Sequence, residues 1–265
     1  MKKNSDKILF GAKGIWKEFL INMNYQFEKY KYINKFVKLC ENKKIQCLFP
    51  LSIDHELFLI ENSQILRKKG YKFLVPSQKN IQILDDKSEF VTFMINNNLD
   101  KYIPKKYDNI QFPCILKKNI SIYGRDGYVI NSIDDIPQNI DLKDYLIQEP
   151  IPGNCEYSTD ILAKNGEIIE ILPSRYCYHT DLFIGGCKIV MTPAFHEEVT
   201  PTVLEAFSEI IKILNYNGFC NIDYKVIDTG YPKIFEINPR CGGSLREQPV
   251  EIFKDLINKY TKLCD

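Results

Sequence analysis

The chain has 265 residues, 45% of them hydrophobic and 26% charged, with 35 basic residues against 34 acidic ones and a net charge of +1. Such a length buries a sizeable core in one large domain or two small ones, and the balanced charge, with no basic stripe interleaved with aromatics, argues against nucleic acid as a partner. No apolar run reaches the ~18 residues of a membrane span, and nine cysteines without a C-x-x-C pair argue against a zinc site or a secreted disulfide framework.

Reduced thiols in a cytoplasmic protein are therefore expected. Residues 1–84 read as a small α/β unit, with strands at 7–10, 45–49 and 71–75 and helices over 25–42 and 56–69. Pro50 and Pro76 stop the last two strands, and Gly70 closes the second helix. This alternation suggests a mostly parallel, Rossmann-like sheet. No G-x-G-x-x-G follows the first strand, so a dinucleotide site is not indicated.

Residues 85–145 form a second block: a helix over 88–97, a strand over 112–117, a loop over 119–127, and a strand at 128–130 followed by a short helix or turn. Lys117 stands at the end of a strand, before a loop holding Ser121, Gly124 and Gly127. A lysine there can neutralise phosphate, and glycines let backbone N–H groups approach anionic oxygens. The sequence is not a P-loop, because no G-x-x-x-x-G-K-[ST] occurs.

Residues 146–265 form the third block. A strand over 145–149 enters the bend Pro150-Ile151-Pro152-Gly153. A hairpin follows, over 156–163 and 167–172, turned at Lys164-Asn165-Gly166. Helices are expected over 201–214, capped by Thr200, and over 249–263. A proline-interrupted bend leaves backbone groups without ladder partners, which can read the edge of an adenine ring. Glu156 can accept from ribose hydroxyls. The alternative for this segment is an ordinary strand-turn-strand with exposed glutamates.

Between the two helices lies a second hairpin, with strands at 219–227 and 232–238. A turn centred on Thr229-Gly230 sets Asp223 opposite Glu236 and Asn221 opposite Asn238. Glu236 and Asn238 then share one face. Opposed carboxylates repel, and a cation between them is the economical remedy. An all-oxygen set suits Mg²⁺ or Mn²⁺. The alternative is a solvated face. Arg240 and the Cys241-Gly242-Gly243-Ser244 turn beside it favour phosphoryl chemistry. His55, His179 and His196 form no H-E-x-x-H, and no serine or cysteine triad is evident.

In their order along the chain, Asp86-Lys87, Phe112 to Lys117, Gln148-Glu149 to Glu156-Tyr157-Ser158, and Asp223 to Arg240 resemble the ATP-grasp superfamily, in particular its carboxylate–amine ligase and carbamoyl-phosphate-synthetase-like branch. Glu236-Ile237-Asn238-Pro239-Arg240 is the most specific part of that resemblance. It implies an α/β (α+β) ATP-grasp fold in residues 85–265, with nucleotide held between subdomains 85–145 and 146–265 and the α/β unit 1–84 in front.

The resemblance implies that Lys87, Lys117 and Ser121 contact ATP phosphates. Gln148, Glu149 and the Ile151 backbone would hold adenine, and Glu156 the ribose. Asp223, Glu236 and Asn238 would hold Mg²⁺ (or Mn²⁺). Arg240 would act on the transferred phosphoryl group, Arg175 and Lys188 would bind the acceptor carboxylate, and Ser244 would line its pocket. The implied reaction activates a small-molecule carboxylate as an acyl phosphate and couples it to an amine. A small-molecule kinase and a non-catalytic nucleotide-binding subunit stay open, as does a homodimer.

Overall fold

The computed structural model describes residues 8–10, 33–121, 126–182, 194–195 and 198–264. In the N-terminal unit β1 (Ile8–Phe10) pairs in parallel with β2 (Cys47–Phe49). The expected third strand is reduced to one parallel bridge, Cys47 with Lys72. The helix expected over 25–42 is described as α1 (Ile33–Lys43), and residues 25–32 lie outside the described part.

The single helix expected over 56–69 is two, α2 (Ile53–Glu61) and α3 (Ser63–Lys68). They break at Asn62, whose backbone leaves helical geometry while its Nδ2 donates to the Phe58 carbonyl at 2.8 Å. Ser52 caps α2 by accepting from the His55 N–H. Phe36, Val37, Leu48, Leu59, Leu66 and Phe73 fill this unit's core.

Two capped helices follow: α4 (Gln78–Asp85), with Ser77 at its N-cap, and α5 (Lys87–Asn96), with Asp86 accepting from two N–H groups. Leu84, Phe90, Val91 and Met94 are buried in the same cluster as Phe207, Ile222 and Ile237. Both helices therefore pack on the large sheet.

The small sheet runs β4-β3-β5, from β3 (Cys114–Lys118), β4 (Gly127–Ile130) and β5 (Tyr145–Gln148). Cys114, Leu116 and Ile130 form its own core. The large sheet is antiparallel in the order β10-β9-β6-β7-β8, from β6 (Cys155–Lys164), β7 (Glu167–Cys177), β8 (Ala194–Phe195), β9 (Gly218–Val226) and β10 (Pro232–Asn238). Residues 149–154 join the two sheets. In the β6–β7 turn Asn165 and Gly166 both take positive φ (54° and 77°), the backbone a tight two-residue hairpin loop needs.

Side chains alternate across the large sheet. Its back face, with Ile161, Ile222, Tyr224, Ile234 and Ile237, packs on α6 (Pro201–Ile213), α4 and α5. One end of its front face, with Leu162, Leu172 and Phe219, packs on α7 (Val250–Leu263). The Tyr260 hydroxyl fastens α7 to the N-terminal unit through Leu48 O (3.0 Å), Leu74 N (2.9 Å) and Leu74 O (3.1 Å). The other end of the front face is polar. Among the described residues no helix is long and apolar enough to cross a membrane.

Cysteine usage corrects one expectation. Cys155 and Cys177 are directly paired across β6 and β7 and form a disulfide, so the thiols are not all reduced. Cys114 and Cys220 are free and buried, and Cys187 lies outside the described residues.

Candidate active site

The polar end of the front face is the floor of a cleft. Register brings Glu156, Ser158 and Asp160 of β6 to one side of the sheet with Ser174 and Tyr176 of β7, and with Asn221, Asp223 and Lys225 of β9. Glu236 faces Asp223 and Asn238 faces Asn221, the pairing expected from the sequence. The route to it differs. The loop closes one residue out of step, with Gly230 N–H donating to Ile227 O and Pro232 opposite Val226, and a bulge between Ile234 and Glu236 restores the register. The extra residue is Phe235, and the Lys117 ammonium lies 4.3 Å from its ring centroid. A bulge thus aims consecutive side chains at the two lysines, Phe235 at Lys117 and Glu236 at Lys87.

The opposed carboxylates have compensating partners within the chain. Glu236 pairs with Lys87 at 2.8 Å, and Asn238 Nδ2 donates to Glu236 at 3.3 Å and to Asp223 at 3.5 Å. Burial would raise the Glu236 carboxyl, but Lys87, then Lys117 and Asn238, hold it below the ordinary value. Asp223 goes the other way. Burial first, then the Glu236 and Glu156 charges, push it well above the carboxylate range. Like charges at this distance resolve by one group keeping its proton. Among the described residues no cluster of three His, Cys, Asp or Glu side chains forms a metal site. The set of two carboxylates and one carboxamide does fit a hard divalent cation that completes its shell with phosphate and water.

At the other end of the cleft, Gln148 is 2% exposed and neither of its side-chain polar atoms has a hydrogen-bond partner. A buried carboxamide with both atoms unpartnered is suited to pair with a polar ligand. The Glu149 carboxylate accepts from Lys105 N–H (2.9 Å) with Lys233 at 4.0 Å, and the Glu149 N–H donates to Lys105 O (2.9 Å), so only the Glu149 carbonyl remains for a base. Burial raises the Glu156 carboxyl to about 7 against the pull of Lys117 and Lys225. Burial likewise lowers the Lys117 ammonium, opposed by Glu236 and Glu156. Ser121 lies two residues beyond Asn119, whose carbonyl accepts the Lys87 N–H. Gly124 and the rest of 122–125 are outside the described residues.

After β10, Arg240 donates to Asn238 Oδ1 (3.1 Å) and to Cys241 O (2.9 Å). The turn beyond it is pinned by a group that sequence reasoning missed. Asp160, 2% exposed, accepts from Gly242 N–H (2.6 Å) and from the Ser244 hydroxyl (2.7 Å). Ser244, Ser158 and Asn221 close a network around it. A Cβ on Gly242 would overlap the Asn221 carboxamide, whereas one on Gly243 meets nothing within 4 Å. Gly242→Ala is therefore expected to cost about 1–3 kcal/mol in urea unfolding and to depress turnover, with Gly243→Ala as the neutral control.

One expected acceptor contact is not brought here, and a second lies outside the described residues. Arg175 pairs with Tyr157, whose ring stacks on Tyr224 at 5.2 Å, so its register puts it on the back face. Lys188 lies outside the described residues, with Gly185, Gly186 and His196. Beyond the cleft floor, Glu56 of α2 is buried, and its Oε2 has no hydrogen-bond partner. Burial pushes its carboxyl well up, and the Arg240 charge opposes this. An isolated glutamate early in a helix carries no signal for such burial. Asp160, bordering the apolar Ile161-Leu162-Ala163 of β6, carries no such signal either, because its partners lie far along the chain.

Residues 141–248 match the family described as "ATP-grasp in the biosynthetic pathway with Ter operon". Three solved structures are similar to the chain. Biotin carboxylase from Campylobacter jejuni shares 16% identity at TM-score 0.60, over 89% of this chain and 65% of that one. D-alanine–D-alanine ligase from Bacillus anthracis, complexed with ATP, shares 14% at TM-score 0.59, over 98% and 95%. L-amino acid ligase from Bacillus licheniformis shares 11% at TM-score 0.58, over 92% and 69%. The chain spans just under two thirds of the biotin carboxylase's length. No curated protein sequence matches it. The fold is ATP-grasp, as the order of motifs implied.

Proposed function

We propose that the protein is an ATP- and Mg²⁺-dependent ligase that couples a small-molecule carboxylate to an amine, releasing ADP and phosphate. The observation that carries this reading is the Asp223–Glu236 pair on the cleft floor, ringed by Asn238, Lys87, Lys117 and Arg240. These groups suit a triphosphate with a hard cation better than any purely structural task. Gln148, the Ile151 backbone and Glu156 take the nucleoside, which sets the phosphates towards Lys117 and Lys87. Asp223, Glu236 and Asn238 would hold Mg²⁺, which would supply neutralisation of the phosphate charge.

Phosphate oxygens compete with Glu236 for Lys87, so nucleotide binding releases Glu236 from its resting ion pair. The acceptor carboxylate then attacks the γ-phosphorus, the bond to the bridging oxygen breaks, and ADP leaves. The amine attacks the acyl carbon and expels inorganic phosphate. Arg240 and the two lysines stabilise the charge that develops on the transferred group. Closure of the small sheet would keep water from the acyl phosphate.

Mg²⁺-dependent ADP release against a panel of carboxylates, with and without amines, tests this. Release that needs both an acid and an amine, and leaves an amide product, is expected. A stable phosphorylated product formed from the acid alone would replace the ligase by a kinase. ATP binding without turnover across the panel would favour a nucleotide-binding subunit.

A further inference from the structure

Lys225 is 4% exposed and lies on the cleft face two residues beyond Asp223. Its Nζ donates to three backbone carbonyls, those of Ile151 (3.0 Å), Gly153 (2.5 Å) and Asp181 (2.9 Å). An ammonium has three N–H donors and no acceptor, so these carbonyls match its donors one for one. Burying the charge is unfavourable, and burial lowers the Lys225 ammonium while Glu156 and Asp181 oppose that. The carbonyls come from two separate segments, the bend 149–154 and the loop that follows β7. Tyr178 N–H adds a second tie between them, to Asn154 O at 2.7 Å.

The clasp fixes which backbone groups the bend offers. The Ile151 carbonyl faces Lys225, and Pro152 has no N–H. The Ile151 N–H makes no hydrogen bond among the described residues. Beside it Gln148 holds a buried carboxamide with neither atom partnered. A lone N–H donor suits the unprotonated N1 of a 6-aminopurine and clashes with the N1–H of a 6-oxopurine. A carboxamide matches the donor and acceptor of an adenine edge with its own acceptor and donor, whereas guanine O6 and N7 are both acceptors and leave the carboxamide oxygen unpaired.

We propose that Lys225 is a positioning residue that makes the site select adenine over guanine nucleotides, by engaging the Ile151 and Gly153 carbonyls so that neither can accept from the base. The inference rests on the nucleotide reading of the cleft. Without the clasp, the Ile151 and Gly153 carbonyls lose their donor, and one of them can accept the guanine N1–H. The phosphate end, built on Lys87, Lys117 and Glu236, is untouched.

The test is equilibrium binding of ATP, GTP and inorganic tripolyphosphate, each with Mg²⁺, to the full chain, to Lys225→Met and to Lys225→Gln. Methionine is expected to weaken ATP binding at least tenfold and to lower the ATP-to-GTP preference by a similar factor. Tripolyphosphate should stay within twofold of the unsubstituted protein. Glutamine, which keeps two donors, should fall between. An unchanged ATP-to-GTP preference in Lys225→Met overturns the proposal, as does an equal loss for tripolyphosphate, which would mark a merely structural lysine. Failure of the unsubstituted protein to bind ATP at all would instead overturn the nucleotide reading, and the clasp with it.

Discussion

Glu236→Gln and Asp223→Asn should both abolish Mg²⁺-dependent ADP release, yet shift the stability of the metal-free protein in opposite directions. Each removes one of the two anionic oxygen groups on the cleft floor. The expected loss of turnover is about 10²–10³-fold or more, the scale of deleting one preorganised electrostatic contact. In the metal-free chain the two carboxylates are not equivalent. Glu236 is the partner of Lys87, whose side chain keeps 9% exposure. Its loss strands a mostly buried ammonium, at a cost of about 2–3 kcal/mol. That lies below the range for fully buried pairs, because the Glu236 side chain is itself 30% exposed. Asp223 is the carboxyl that burial and Glu236 push well up. A neutral amide there relieves the opposition and should stabilise by up to about 1 kcal/mol. Urea unfolding in the presence of a chelator measures both. A shift in the same direction for the two variants would mean that the carboxylates do not oppose each other in the resting protein.

The hairpin that carries this pair shows how far the sequence can be read. Turn residues and alternation set Asp223 against Glu236, and that pairing is present. The loop and the bulge at Phe235 are two one-residue departures that cancel. A bulge has no local signature, because it satisfies packing on both faces of the sheet at once. Arg175 shows the opposite outcome. The second strand of the first hairpin was expected to end at Leu172, which left Arg175 in a loop free to turn to the cleft. The strand continues to Cys177, and the pleat then fixes Arg175 beside Tyr157. The same lengthening brings Cys155 opposite Cys177, a contact that register creates and spacing alone cannot reveal. Lys225 and Asp160 were illegible for another reason. Charged residues read as exposed unless their partners are known, and the partners here lie 44 to 84 residues away.

Asp160 makes the sharpest pH prediction. Burial raises its carboxyl to about 6 from an ordinary 3.8, although Gly242 N–H, Ser244 and Arg240 all favour the charged form. An acid whose folded value is raised binds more protons when folded than when unfolded, so stability falls as pH rises between the two values. The difference of roughly two units corresponds to about 3 kcal/mol, absent below pH 4 and fully expressed above pH 6. Asp160→Asn removes this titration. The variant should match the unsubstituted protein near pH 4 and exceed it by about 3 kcal/mol at pH 7, read from urea midpoints across that range. A difference that stays flat from pH 4 to 7 would show that Asp160 titrates normally. Turnover should move against stability. The charged carboxylate offers two strong acceptors to the Gly242–Ser244 turn, while a carboxamide offers one oxygen. A looser turn frees Arg240, which is joined to it through Cys241. The protein thus keeps a buried charge that weakens the fold at neutral pH, because only the charged form grips both donors of the turn.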